Sequence, residues 1–560
     1  MLRRDDRVLP VAVAATLATL VVVFYYPVGS VLVGAVHDAG QFTLAPLLAV
    51  LSDPFYHDLF AFTAYQALLS TLASVAFGLP GAYLLARFEF PGRRFLRSVT
   101  ILPFVLPSIM VAVGFLAMFG RTGLLNDVLG VVGLGPVELT FTLEIIVLAH
   151  AFYNAPLVTR LVTAAWESVD PARVETARTL GASPLRAFRD VTLPQLLPAL
   201  LTASVLTFVF TFMSFPIVLA LGGLELATVE VWLFARVQSL DLTEAAALGA
   251  IETLLSLGLI YLYLRFEATQ LSGRGETRGR SRTPLVAGWR SLVDPKRLAL
   301  FAYAAVALVL FVGPLLSLVV ESVTTADGTL TLRYYEFLLA QQASAAVGTV
   351  KPLPAIQNSL LFAVGTLLLA VPMGVLVAIV ESKRFVGNRL LTAVLMAPLA
   401  VSGIVLGLGL LQGLVFGTEL LGHRITVTGP VAIVAAHAVA AYPFVARTVA
   451  PLLKRVDQHL LDSARVLGAT RSRVRRDIEI PLIVPGIVAG AALAFAISIG
   501  EFDSTVILAE GSGSYTMPVA VERYLGNRTL GPATAMGTVL LIVTAGSFVV
   551  IDRVGGWWEP

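Results

Sequence analysis

The side chains able to do chemistry in this 560-residue chain are few, and most of them interrupt apolar runs. His150, Glu252, His437, Glu501 and Asp503 stand in such runs. At mid-bilayer each would cost ~2.5–3.5 kcal/mol or more, which makes all of them functional candidates. Glu501 and Asp503 lie close together in SIGEFDSTVIL. Two adjacent carboxyls either attract a cation or sit near a helix end, solvated or capping a broken segment. The matching stretch earlier in the chain reads Ser214, Phe215, Pro216. His150 and His437 occur at matching places, which favours hydrogen bonds between helices over contact with a solute. Tyr153 and Asn154 are open to the same two readings. Other chemistry is excluded by pattern. There is no cysteine, so no disulfide or thiolate site. No phosphate-binding loop is present, because GLVFGTEL and GLGLLQG lack its lysine. Neither an H-E-x-x-H metal pair nor a G-x-S-x-G nucleophile turn occurs.

The elements that must position these residues are membrane spans. Hydrophobic residues make up 57% of the chain, charged residues 13%, and the mean hydropathy is +0.85. Soluble domains carry about 25% charged residues. A span needs about 20 apolar residues. Such runs lie near 9–36, 60–86, 99–119, 142–165, 194–222 and 244–266, then near 298–320, 356–380, 391–416, 431–450, 482–508 and 531–551. The first is too long for a signal-peptide core and reads as a retained helix. With the N-terminus inside, 32 Lys and Arg fall in inner segments and seven in outer ones. Basic residues favour the cytoplasmic side, so both termini are expected there.

A polar stretch, 267–297, carries Arg274, Arg278, Arg280 and Arg282 and reads as a flexible basic linker between two halves, 1–266 and 298–560. The halves repeat. A shift of 287 residues superposes His150 on His437, Pro156 on Pro443 and Gly181 on Gly468, with 17 identities in the 45 positions 150–194. Both copies run in the same direction, so their pseudo-two-fold axis should follow the membrane normal. The best-matched part is a loop between the fourth and fifth spans of each half, 166–194 and 453–481. Asp170 is a good N-cap and Pro171 a good first helical residue. Gly181 then ends a short helix, and Ser183-Pro184 starts a second. Each loop is expected to be a helix–turn–helix on the cytoplasmic surface.

The pattern E-x-A-x-x-x-G, running on to a hydrophobic residue and Pro, resembles the EAA loop of permease subunits in binding-protein-dependent ABC importers. Here it is Glu175, Ala177, Gly181 and Pro194, then Asp462, Ala464, Gly468 and Pro481. Thr176 and Ser463 replace the middle alanine, and Asp462 the second glutamate. The resemblance covers the whole chain as two fused halves and is to the thiamine and ferric-iron group. AHAFYNAPLVTRL (149–161) and FMSFPIVLALGG (212–223) look most like its thiamine branch. It implies an all-α polytopic membrane protein with about 12 transmembrane helices in two parallel-repeat halves, the type I importer fold. Each loop would be a coupling helix docked on an ATPase dimer at the cytoplasmic face of a prokaryotic plasma membrane. Glu175 and Asp462 would pair with basic groups there, and Arg178 and Arg465 with acidic ones. An extracytoplasmic binding protein would deliver the solute, and the segment 321–355 is long enough to touch it. ATP would be bound and hydrolysed by the partner subunit, leaving this chain without catalytic residues, metal, cofactor or nucleic-acid partner.

Glu501, Asp503, Ser214 and Glu252 are then the expected lining of the solute pathway, suited to a cation. Thiamine or a derivative is the first solute implied, ferric iron the alternative, and phosphonate or sulfate a further one. A secondary transporter of the major-facilitator type also has twelve spans and a basic central linker. Its helix 2–3 motif is incomplete here, as RFEFPGRRFLR has no second-half copy, and it has no use for the repeated loops. A membrane-embedded enzyme finds no motif.

Overall fold

The computed structural model describes residues 4–38, 40–99, 106–121, 123–271, 282–286, 294–325, 327–343, 350–383, 387–420, 422–456, 458–511, 513–526 and 529–556. Among these the sheets are three two-stranded pairs and the rest of the regular structure is helical. Ten helices are long and apolar enough to cross a membrane. They are joined by a pair, Leu390–Ala400 and Gly403–Val415, bent by 94°, and by a shorter apolar helix over Gly531–Ser547. These match the twelve apolar runs one for one.

Differences from the sequence reading lie inside the spans. Of the third, residues 100–105 fall outside the described residues, and the helix is Ser108–Phe119. The fifth does not run to 222. It ends at Phe212, and a separate helix, Pro216–Gly222, follows. The eleventh ends at Gly500, before a helix Asp503–Leu508. Pro216 and the Glu501 side chain explain these breaks: one removes a backbone donor, the other captures the donors that begin the next helix.

The halves interlock through glycine. A Cβ on Gly114, in the third span, would lie 2.6 Å from the carbonyl oxygen of Pro314 in the seventh. A Cβ on Gly409, in the ninth, would lie 2.4 Å from the carbonyl oxygen of Pro27 in the first. Pro27 and Pro314 are 287 positions apart, so these are one contact made twice. The leading helix of each half therefore packs on the third span of the other. Within each half the second and fourth spans cross at a glycine in the same manner, Gly78 against Ala155 and Val158, Gly374 against Tyr442 and Val445. Small residues let helix backbones approach closely in a bilayer, where no hydrophobic force draws helices together.

The described part of the linker is anchored. The sixth-span helix continues to Leu271, while 272–281 and 287–293 lie outside the described residues. Thr283–Pro284 pairs in parallel with Phe88–Glu89, and Leu285 is buried beside Leu84, Phe88 and Leu300. Arg282 reaches Glu167 at 2.9 Å. Arg93, itself bonded to the Leu85 carbonyl, meets the same carboxylate at 3.0 Å.

Candidate functional site

The two loops have the same local construction. In the first, the Asp170 carboxylate accepts the Ala172 N–H at 2.9 Å and starts the helix Pro171–Thr179. Its end is closed by two bonds, Gly181 N–H to the Arg178 carbonyl at 3.1 Å and Ala182 N–H to the Ala177 carbonyl at 3.0 Å. The second helix, Gln458–Val466, is closed by Gly468 N–H to Arg465 and Ala469 N–H to Ala464, both 3.0 Å. Gly181 has φ +88° and Gly468 φ +87°. This left-handed closure is the reason for glycine here, since a Cβ at either would meet nothing within 4 Å. Asp457, the counterpart of Asp170, lies outside the described residues.

After each glycine the chain starts a new helix, capped by Ser183 in one copy and Thr470 in the other. The sequence reading made this arm part of a separate helix–turn–helix. Instead it runs without interruption, through a π-helical turn (Phe188–Thr192, Arg475–Glu479), into the fifth and eleventh spans. Pro194 and Pro481 lie just after the π-helical turns, which are where the ladder accommodates the missing proline donor. Glu175 is exposed, as is Asp462, which bonds Arg465 at 3.1 Å. Ala177 and Ala464 are half-buried and supply the closing carbonyls. The tips are apolar and bare: Leu180 is 83% exposed and its repeat mate Leu467 88%.

Inside the membrane region the acidic pair divides its roles. Glu501 Oε1 accepts the Ser504 N–H and hydroxyl, both at 2.8 Å. Its Oε2 accepts the Thr505 N–H at 3.2 Å and the Thr505 hydroxyl, and lies 2.9 Å from His437 Nε2. Glu501 is thus the cap of the broken eleventh span. Asp503 is half-buried, packs against Gly403 and lines a cavity of about 280 Å³. Ser214, His150, Tyr153 and Asn154 line the same cavity, with Phe210 and Phe215 as its aromatic wall. Among the described residues the cavity's lining holds no Lys or Arg. Glu252 does not line it. It is buried beside Glu230. Sequence reasoning missed Glu230, although a carboxylate inside ATVEVWLF carries the same signal as Glu252.

Two stretches, 78–268 and 370–559, match the family described as binding-protein-dependent transport system inner membrane component. The thiamine transport system permease protein ThiP of Escherichia coli K12 is 26% identical over 516 residues, covering 91% of this chain and 91% of its own. ThiP of Brucella abortus strain 2308 is 27% identical over 496 residues, covering 88% and 86%. The sulfate transport system permease protein CysT of Salmonella typhimurium is 31% identical over 229 residues, 40% of this chain and 82% of its own. The twice-matched domain, the whole-length relatives and the helical repeat agree, and this chain belongs to the binding-protein-dependent transport system inner membrane components, as a fused, duplicated ABC-importer permease.

Proposed function

We propose that this permease imports a small organic cation of the thiamine type, driven by a separate ATPase that grips the two loops. Asp503 is the observation that carries the choice of solute. It places a carboxyl on a cavity whose lining has no Lys or Arg among the described residues, which suits a cation and opposes a sulfate dianion. About 280 Å³ is at the small end of ligand pockets and suits a vitamin-sized molecule. The relatives that match nearly the whole chain are thiamine permeases, whereas the sulfate relative matches 40% of it. Both termini and both loops lie on the cytoplasmic side in this reading, and the binding protein docks on the other.

Reconstitution with its ATPase and binding protein tests the reading by uptake of labelled thiamine. Asp503→Asn is expected to lower uptake at least tenfold. Uptake of labelled sulfate in place of thiamine, or thiamine uptake indifferent to Asp503→Asn, overturns it.

The loops supply a second test. Valine at Gly181 or Gly468 must adopt a left-handed turn at ~1–2 kcal/mol. Asparagine tolerates that conformation. ATP-driven uptake is expected to fall at least tenfold in Gly181→Val and to stay near the unmodified level in Gly181→Asn. Equal uptake by the two variants would remove the turn from the coupling mechanism.

A further inference from the structure

The repeat is broken around its paired histidines. Phe215 and Phe502 are 287 positions apart and stack on each other, centroids 5.6 Å apart and planes 11° apart. Repeat mates that touch lie on the pseudo-two-fold axis, so the axis passes through this stack. On the second-half side of it, His437 is saturated. Its Nδ1 is 2.8 Å from Ser498 Oγ, and its Nε2 is 2.8 Å from Thr505 Oγ1 and 2.9 Å from Glu501 Oε2. On the first-half side, His150 Nδ1 is 3.0 Å from Ser70 Oγ, but Nε2 is buried and has no partner among the described residues. His150 is 1% exposed and lines the cavity.

The cause is in the sequence. Glu501, Ser504 and Thr505 of the second half correspond to Ser214, Ile217 and Val218 of the first. Where the second half seats a carboxylate on its histidine, the first has a short hydroxyl side chain that lines the same cavity as His150. A buried ring nitrogen left unpaired is destabilising, and that cost is recovered when a ligand supplies the missing group.

We propose that the permease has a single solute site, on the first-half side of the axis, in which a hydrogen-bonding group of the solute occupies at His150 the place that Glu501 occupies at His437. Ser214 is the residue that makes the site one-sided. Asp503 crosses from the second half to face the solute's positive charge. The charge of the solute rests on the thiamine reading; the position of the site does not.

The chain has no cysteine, so Ser214→Cys introduces a single thiol. In the assembled permease–ATPase complex this thiol is offered two methanethiosulfonates of similar size, one bearing trimethylammonium and one sulfonate. Each forms a mixed disulfide with release of methanesulfinate. The cationic reagent is expected to react at least tenfold faster, with the ratio collapsing in the Ser214→Cys/Asp503→Asn double variant. Excess thiamine is expected to slow the reaction. No reaction overturns the site, and equal rates for the two reagents overturn the role of Asp503 and the cationic reading. A strong cation preference without protection by thiamine supports the site and overturns the thiamine reading alone. Ser214→Glu builds the second half's carboxylate into the first and is expected to cut uptake at least tenfold; uptake at the unmodified rate would count against the proposal.

Discussion

Aspartate at both Leu180 and Leu467 is expected to separate the permease from its ATPase. The two leucines are 83% and 88% exposed, at repeat-equivalent positions one residue before the glycine turn. Val466 beside one of them is 87% exposed. Single exposed leucines are ordinary, but the same bare leucine on the same turn in both copies is the surface that the proposed ATPase contact would cover. Covering a leucine is worth about 1.5–3 kcal/mol. Losing two removes roughly 3–6 kcal/mol, or between two and four decades of affinity. Co-elution of the ATPase in detergent measures this directly. Each single variant should lose about half as much free energy as the pair, and Leu→Met at both sites should bind nearly as the unmodified protein does. Co-elution of the double aspartate variant at the unmodified level would show that the motor holds some other surface.

The second large effect is expected at the interlock. Leucine at Gly409 or at Gly114 has no space, because the first carbon already meets a proline carbonyl oxygen at 2.4 or 2.6 Å. Backbone in the middle of a kinked helix yields poorly, so the leading helix must move away from the other half. Overpacking of this kind costs about 1–3 kcal/mol for each site. The two sites are distinct contacts, so their effects should add to within ~0.5 kcal/mol. Thermal unfolding in detergent is expected to drop for each variant and by the sum for both, with alanine at either site intermediate. An unchanged melting temperature would mean that the halves are held together elsewhere.

How much of this was legible before the structure depends on whether the signal was local. The spans were readable from apolar length, and the loops from Asp170-Pro171, Gly181 and Ser183-Pro184, because caps and turns act within four residues. The break after Phe212 was hidden, since FMSFPIVLALGG stays apolar through it. Glu501 was ambiguous for a different reason. Its role is fixed by His437, 64 positions away, and by two hydroxyls that follow it. The cavity needed Asp503 from one half and Ser214 from the other, a juxtaposition that no window of sequence contains. An interlocking glycine such as Gly409 looked like any other in VLGLGLLQG, because a close approach is a property of two helices.

The crossed leading helices decide what kind of motion is open to the molecule. The first span lies between the ninth span and its own sixth, and the seventh lies between the third and its own twelfth. Each therefore sits astride the seam. Drawing the bundles apart would strip both bridges at once, whereas tilting one bundle about the central pair of stacked rings keeps one bridge seated while the other loosens. Such a body opens at one mouth by tightening the opposite mouth, the geometric condition for passing a solute without opening a continuous leak.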